Sequence, residues 1–292
     1  MLFPSVGLRE AGLNALFGTW GSQVLNTEYA SGGKIRFGEI SRSLARALLT
    51  FKSEVMDERG TKIEYVSLQT SETYLHYKKV VAPQFQRIDL STISPPEEQL
   101  AFWINLYNSL TIDAVISFGI SKSVTEGWFG MIRFFRRAAY NIGGNRFSLE
   151  DIEHGILRAN KGHSYFPGPH FSDGDPRKAN VLEKLNPRIH FALNCASRSC
   201  PPIGIYTGEK LDQELKLATH NFILEETKLS EGGRHLITSS LFKWYWRDFG
   251  GLAGLRMLFQ EALPQNDERY MLLAQANGNP FRFSPYKWEL NI

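Results

Sequence analysis

Apolar residues recur at helical spacing at Ile40, Leu44, Ala47, Leu48, Phe51 and Val55, with Arg and Ser between them. This spacing predicts an amphipathic helix laid on a core. A longer run follows Ser94-Pro95-Pro96-Glu97-Glu98, where an initiating serine, prolines before the first turn and two early carboxylates all favour a helix start. The predicted helix runs from Glu97 to Phe118 and is stopped by Gly119. Leu100, Trp103, Ile104, Tyr107, Ala114, Val115 and Phe118 form one apolar face, and Phe102, Leu106, Leu110, Ile112 and Ile116 make most of the other face apolar too. The exceptions Asn105, Asn108, Ser109 and Asp113 fall within an arc of roughly 140°, given about 100° per residue. A buried rod carrying one polar stripe is expected. An unpartnered buried amide costs roughly 1 to 3 kcal/mol, so the stripe requires a polar network opposite it.

Further along, Trp128 to Arg137 interleaves aromatics with Arg and reads as a solvated strand face, with Tyr140 to Asn145 as a turn between short strands. Ser148 and Asp151 make a capping-box pattern leading into a short helix, Leu149 to Arg158. The polar stretch Asn160 to Asn180 reads as a surface loop, and Ile189 to Leu193 as a short strand entered by His190. Helical spacing returns from Leu211 to Leu224, followed by an aromatic-rich region from Lys243 to Phe259. The resulting expectation is an α+β fold with a central buried helix packed on a small antiparallel or mixed sheet. Residues 1–60 are expected to be an N-terminal helical extension, and residues 61–292 a single α+β domain.

Composition narrows the classes. With 42% hydrophobic and 22% charged residues the chain has ordinary globular proportions, which excludes disorder as its main state. A net charge of +3 gives no basis for a nucleic-acid or membrane partner, so Arg133, Arg136 and Arg137 are read as solvated. Arg9 and Glu10 interrupt the apolar start before a signal core forms, and Asn105, Asn108 and Asp113 interrupt the most apolar helix. A soluble, cytoplasmic protein is expected.

Two cysteines, Cys195 and Cys200, exclude a disulfide scaffold. Four readings of them stand side by side: buried small apolar residues, a catalytic thiol, a metal site with His154 and His190, or a disulfide across the loop. For catalysis, His190 or His154 is the candidate base, and Arg198 with free loop N–H groups could lower a thiol pKa. Asn105 and Asn108 are read as holding neighbouring loops or meeting an oxyanion. His154 and Arg158 stand four residues apart on one predicted helix.

Five separated blocks then carry a resemblance: Phe102 to Asn108; Asp151 to Arg158; Arg188 to Cys195 through Ser199-Cys200-Pro201-Pro202; Lys243-Trp244-Tyr245 with Asp248-Phe249-Gly250; and Pro285-Tyr286-Lys287-Trp288. In this order they resemble the domain-of-unknown-function family numbered 547, over roughly Ile63 to Ile292. The resemblance implies Asn105, Asn108, His154, Arg158, His190, Cys195 and Cys200 as motif residues. Asp113 stands where the family's helix block usually has His. The element order also resembles the papain and transglutaminase class of thiol enzymes, with Asn105 near the place of that class's nucleophile. The expected activity is a thiol-dependent hydrolase or acyl transferase acting on a small molecule or peptide without a cofactor. In it Cys200 is the nucleophile, His190 the base and Asn105 an oxyanion donor. A non-catalytic module binding a protein partner, and a metal-dependent hydrolase, are the alternatives.

Overall fold

A computed structural model describes residues 8–17, 19, 23–28, 30–92, 95–127, 130–163 and 168–292. In chain order they form α1 (Leu8–Leu16), α2 (Phe37–Val55), the short α3 (Tyr65–Thr70), α4 (Glu72–His76) and α5 (Ala82–Gln84), and then α6 (Pro96–Ser117). After α7 (Gly130–Arg137) come β1 (Ala139–Ile142) and β2 (Asn145–Ser148), a π-helix (Asp151–Leu157) and a 3-10 turn (Pro187–Phe191). The C-terminal part holds α8 (Leu211–Glu226), β3 (Lys228–Leu229), β4 (Leu236–Ser239), α9 (Leu241–Trp244), α10 (Gly251–Ala262), α11 (Glu268–Gln275) and β5 (Phe281–Ser284).

The fold is mixed α+β with two small sheets, one antiparallel (β1-β2) and one mixed (β3-β4-β5). Every residue of α6 from Leu100 to Ile116 is buried, as its all-round apolar pattern requires. Phe37, Ile40, Leu44, Leu48, Phe51 and Val55 of α2 belong to the same core as α6, with the Phe37 and Phe102 rings 4.7 Å apart. Although α2 falls within the expected N-terminal extension, its apolar stripe is therefore spent on the central helix. β2 reaches the other side, where Phe147 packs on Trp103 at 5.1 Å. A second core joins Phe191, Phe222, Phe242, Phe249 and Phe259 beside the mixed sheet.

The turn at Gly143-Gly144 joins β1 and β2 as the sequence pattern indicates, both glycines at positive φ (56° and 89°). Three expectations change. Residues 130–137 are helical, not a strand, with Arg136 buried against Glu150; Trp128 lies outside the described residues, as does the initiating Ser94. His190 sits in a 3-10 turn, because Asn186 caps the turn and Pro187 opens it. The 160–180 stretch is no simple surface loop. Its Phe171 is buried against Gly155, where an added Cβ would meet the ring at 2.3 Å, and Asp175 and Arg177 are buried as a pair.

Candidate functional site

The polar stripe of α6 finds the network its burial demands. Asn105 donates to the Tyr206 carbonyl (2.7 Å) and accepts from the Tyr206 N–H (3.0 Å). Asn108 donates to the Ala192 carbonyl (2.9 Å) and accepts from the Asn194 N–H (2.9 Å). Each amide replaces a strand partner for an irregular loop. Both asparagines are thus committed to the loops that flank the cysteines, and neither lines the neighbouring cavity. Asp113 lies in a separate network, accepting from Tyr74 (2.6 Å), Tyr140 (2.7 Å), Ser117 (2.9 Å) and Lys78 (2.9 Å).

The cysteine loop closes on itself. Cys200 Sγ accepts from the N–H groups of Cys195 (3.0 Å) and Ser197 (3.4 Å), and both sulfurs contact the Tyr286 hydroxyl, at 3.3 Å for Cys195 and 3.1 Å for Cys200. Ala196 between them holds φ at +64°, a left-handed conformation that costs a residue with a Cβ roughly 1 kcal/mol or more. The remaining N–H groups are also spent: Ala196 on Asn194 Oδ1, Arg198 on Glu289, Ser199 on Lys287 and Cys200 on Ser197. The expected free N–H donors are therefore absent from this described loop. Arg198 is exposed and does not line the cavity.

The cavity beside this loop has a volume of about 130 Å³. Cys195 lines it and Cys200 does not. A hydrogen bond from the Cys200 thiol, helped by Ser197 and Tyr286, outweighs burial and brings the Cys195 thiol below its ordinary pKa. Burial pushes the Cys200 thiol well up. The expectation of Cys200 as the attacking group thus meets a sulfur that sits behind its neighbour and holds its proton.

His190 and His154 line the same cavity. His190 Nε2 is 3.0 Å from Asp248 Oδ2, and Tyr245 stacks on the imidazole at 3.7 Å, which fixes the ring plane. Asp248 also accepts from Arg158 Nε (2.6 Å) and Nη2 (3.2 Å). Burial alone would raise the Asp248 pKa, but hydrogen bonds from His190 and Arg158 hold it well below the carboxylate range. Arg158 Nη1 in turn lies 3.0 Å from His154 Nδ1. Burial lowers the pKa of both histidines, for His154 with help from His163 and Arg158. No hydrogen bond joins either sulfur to a histidine among the described residues. No group of three or more His, Cys, Asp or Glu side chains among them is placed to hold a metal ion.

Several residues that the sequence reading did not single out complete the site. The π-helix brings Glu153 to the cavity, where it accepts from Tyr107 (3.0 Å) and from Tyr245. Trp244, Tyr286 and Trp288 form one wall, with ring centroids 4.6 to 5.6 Å apart. His163 comes from the 160–180 stretch. Except for His163, these residues all stand inside the sequence blocks quoted above. His163 carried no such signal.

Residues 90–223 match the family described as a protein of unknown function, DUF547. The chain carries a DUF547 domain. Tyr107, Glu153, His154, His190 and Cys195 lie inside the DUF547 match, while Trp244, Tyr245, Asp248, Tyr286 and Trp288 lie beyond its last residue. No curated protein and no solved structure matches the chain. No helix among the described residues is long and apolar enough to cross a membrane.

Proposed function

We propose that the cavity is the site of a thiol-dependent acyl transfer, to water or to a second acceptor, with Cys195 as nucleophile and His190 as acid and base. The observation that carries this reading is that Cys195 and the Asp248-held imidazole of His190 face one cavity. Asp248 takes Nε2, which leaves Nδ1 for proton transfer. The lowered pKa keeps His190 neutral near pH 7 and able to accept a proton. In the reaction Cys195 passes its thiol proton to Nδ1 of His190 as the sulfur attacks a carbonyl carbon; the bond to the departing group breaks to leave a thioester, and the departing group takes that proton from His190. The acceptor then gives a proton to His190 as it attacks the thioester, and His190 returns it to the Cys195 sulfur as the C–S bond breaks. Cys200 acts as a positioning residue that donates to the Cys195 sulfur.

The test is alkylation with iodoacetamide below pH 7, located by peptide mass. Modification at Cys195 alone is expected, with at least a ten-fold slower rate in Tyr286→Phe. An activated ester should acylate Cys195, and His190→Gln should slow that step by roughly 100-fold, the lower end for a general base. Two inert thiols would sink the proposal and leave a binding pocket without chemistry.

A further inference from the structure

The charges around the cavity are unbalanced. Its described lining contains two carboxylates, Glu150 and Glu153, and no Lys or Arg. Arg136 answers Glu150 at 2.9 Å. Among the described residues, Glu153, nine-tenths buried, receives only the hydroxyls of Tyr107 and Tyr245, which are neutral donors. The nearby guanidinium of Arg158 is hydrogen-bonded to Asp248, which also has Lys161 at 3.6 Å, and it attracts Glu153 only through space, without an ion-pair contact among the described residues. The lining histidines add no charge at neutral pH: burial lowers His154 and His190, and pushes His163 down to about 4.

A carboxylate removed from water without a cation is costly, and a ligand that brings the cation recovers that cost. The rest of the lining suits such a ligand. Six Phe, Tyr and Trp rings, those of Tyr107, Phe135, Trp244, Tyr245, Tyr286 and Trp288, line the cavity, and the negative face of an aromatic ring attracts an ammonium group. An anionic ligand would instead meet two carboxylates and no lining Lys or Arg among the described residues.

We propose that this cavity binds a small organic ammonium group, with Glu153 as its counter-charge and the rings of Trp244, Tyr286 and Trp288 as its wall. The proposal concerns the cavity of the preceding section but goes beyond it, since binding does not require Cys195 to react. If both hold, the ammonium belongs to the acyl donor or the acceptor.

The experiment is a titration of the full chain with tetramethylammonium chloride, with sodium chloride at equal ionic strength as control and tert-butanol as the uncharged comparison, read by calorimetry. Saturable binding of tetramethylammonium at least ten-fold tighter than tert-butanol is expected; equal binding, or none, overturns the proposal. Glu153→Gln should weaken the cation at least ten-fold and leave tert-butanol unchanged, and undiminished cation binding there also overturns it. Should that variant fail to fold, the wild-type comparison still decides, and Trp288→Leu should weaken the cation with Glu153 intact. Cys195→Ser should retain binding. Inert thiols with tight cation binding would sink only the thiol reading, and reactive thiols without cation binding only this one.

Discussion

Ala196 holds a left-handed backbone between two cysteines while fully buried, so side-chain shape there is limited from two directions. Ala196→Val should lower stability by about 2 kcal/mol or more in urea unfolding, because a β-branched residue tolerates that φ poorly and the site has no room. Ala196→Gly should be close to neutral, the relief of strain offsetting a more flexible unfolded chain. Among single residues, those of the α6 stripe were legible in the sequence. A polar amide amid buried positions announces a partner, and both asparagines have one in the backbone of a loop. Which cysteine faces the cavity was not legible, because it depends on the turn at Ala196 and on Tyr286, 91 residues further along than Cys195. Arg198 misled for a related reason: nearness in sequence to a thiol says nothing about the side on which a long side chain ends.

The helices and loops around the cavity depend on one another. Asn108→Ala would leave the Ala192 carbonyl and the Asn194 N–H without their partner, and a loss of about 2 to 4 kcal/mol is expected in denaturant unfolding. Gly155→Ala should be comparably harmful, since its Cβ would meet the Phe171 ring rather than open space. The periodicity of α6 and α2 survives in the structure because long apolar patterns fix a helix irrespective of context. The short segments changed: His190 lies in a 3-10 turn and Glu153 in a π-helix, both too short for period alone to separate from strand or α-helix. The Ser148 and Asp151 capping box was readable and is present, with reciprocal bonds of 3.1 and 2.8 Å.

For the whole molecule, the buried histidines make stability fall with acid. Their folded pKa values lie below the unfolded value near 6.5, so the unfolded chain binds protons first and stability is lost as pH drops from about 6.5. For His163 the window closes at about 4. Asp248, held low, adds a loss below its unfolded value near 3.9. The melting temperature should therefore decline steadily below pH 6.5, and His163→Asn should flatten the curve by on the order of 2 kcal/mol at pH 4. The C-terminal stretch stitches the site shut: Arg198 bonds Glu289, Ser199 bonds Lys287, Asn291 bonds Ala196 and Leu290 bonds Lys122. During synthesis this order has a cost in time. A ribosome that has just added Cys195 must add 91 more residues before Tyr286 exists, which takes several seconds at about 5 to 20 residues per second. Throughout that interval the nascent chain lacks the Tyr286 hydroxyl, one of the three side-chain partners that bring the Cys195 thiol below its ordinary pKa, so the full lowering waits for the last wall.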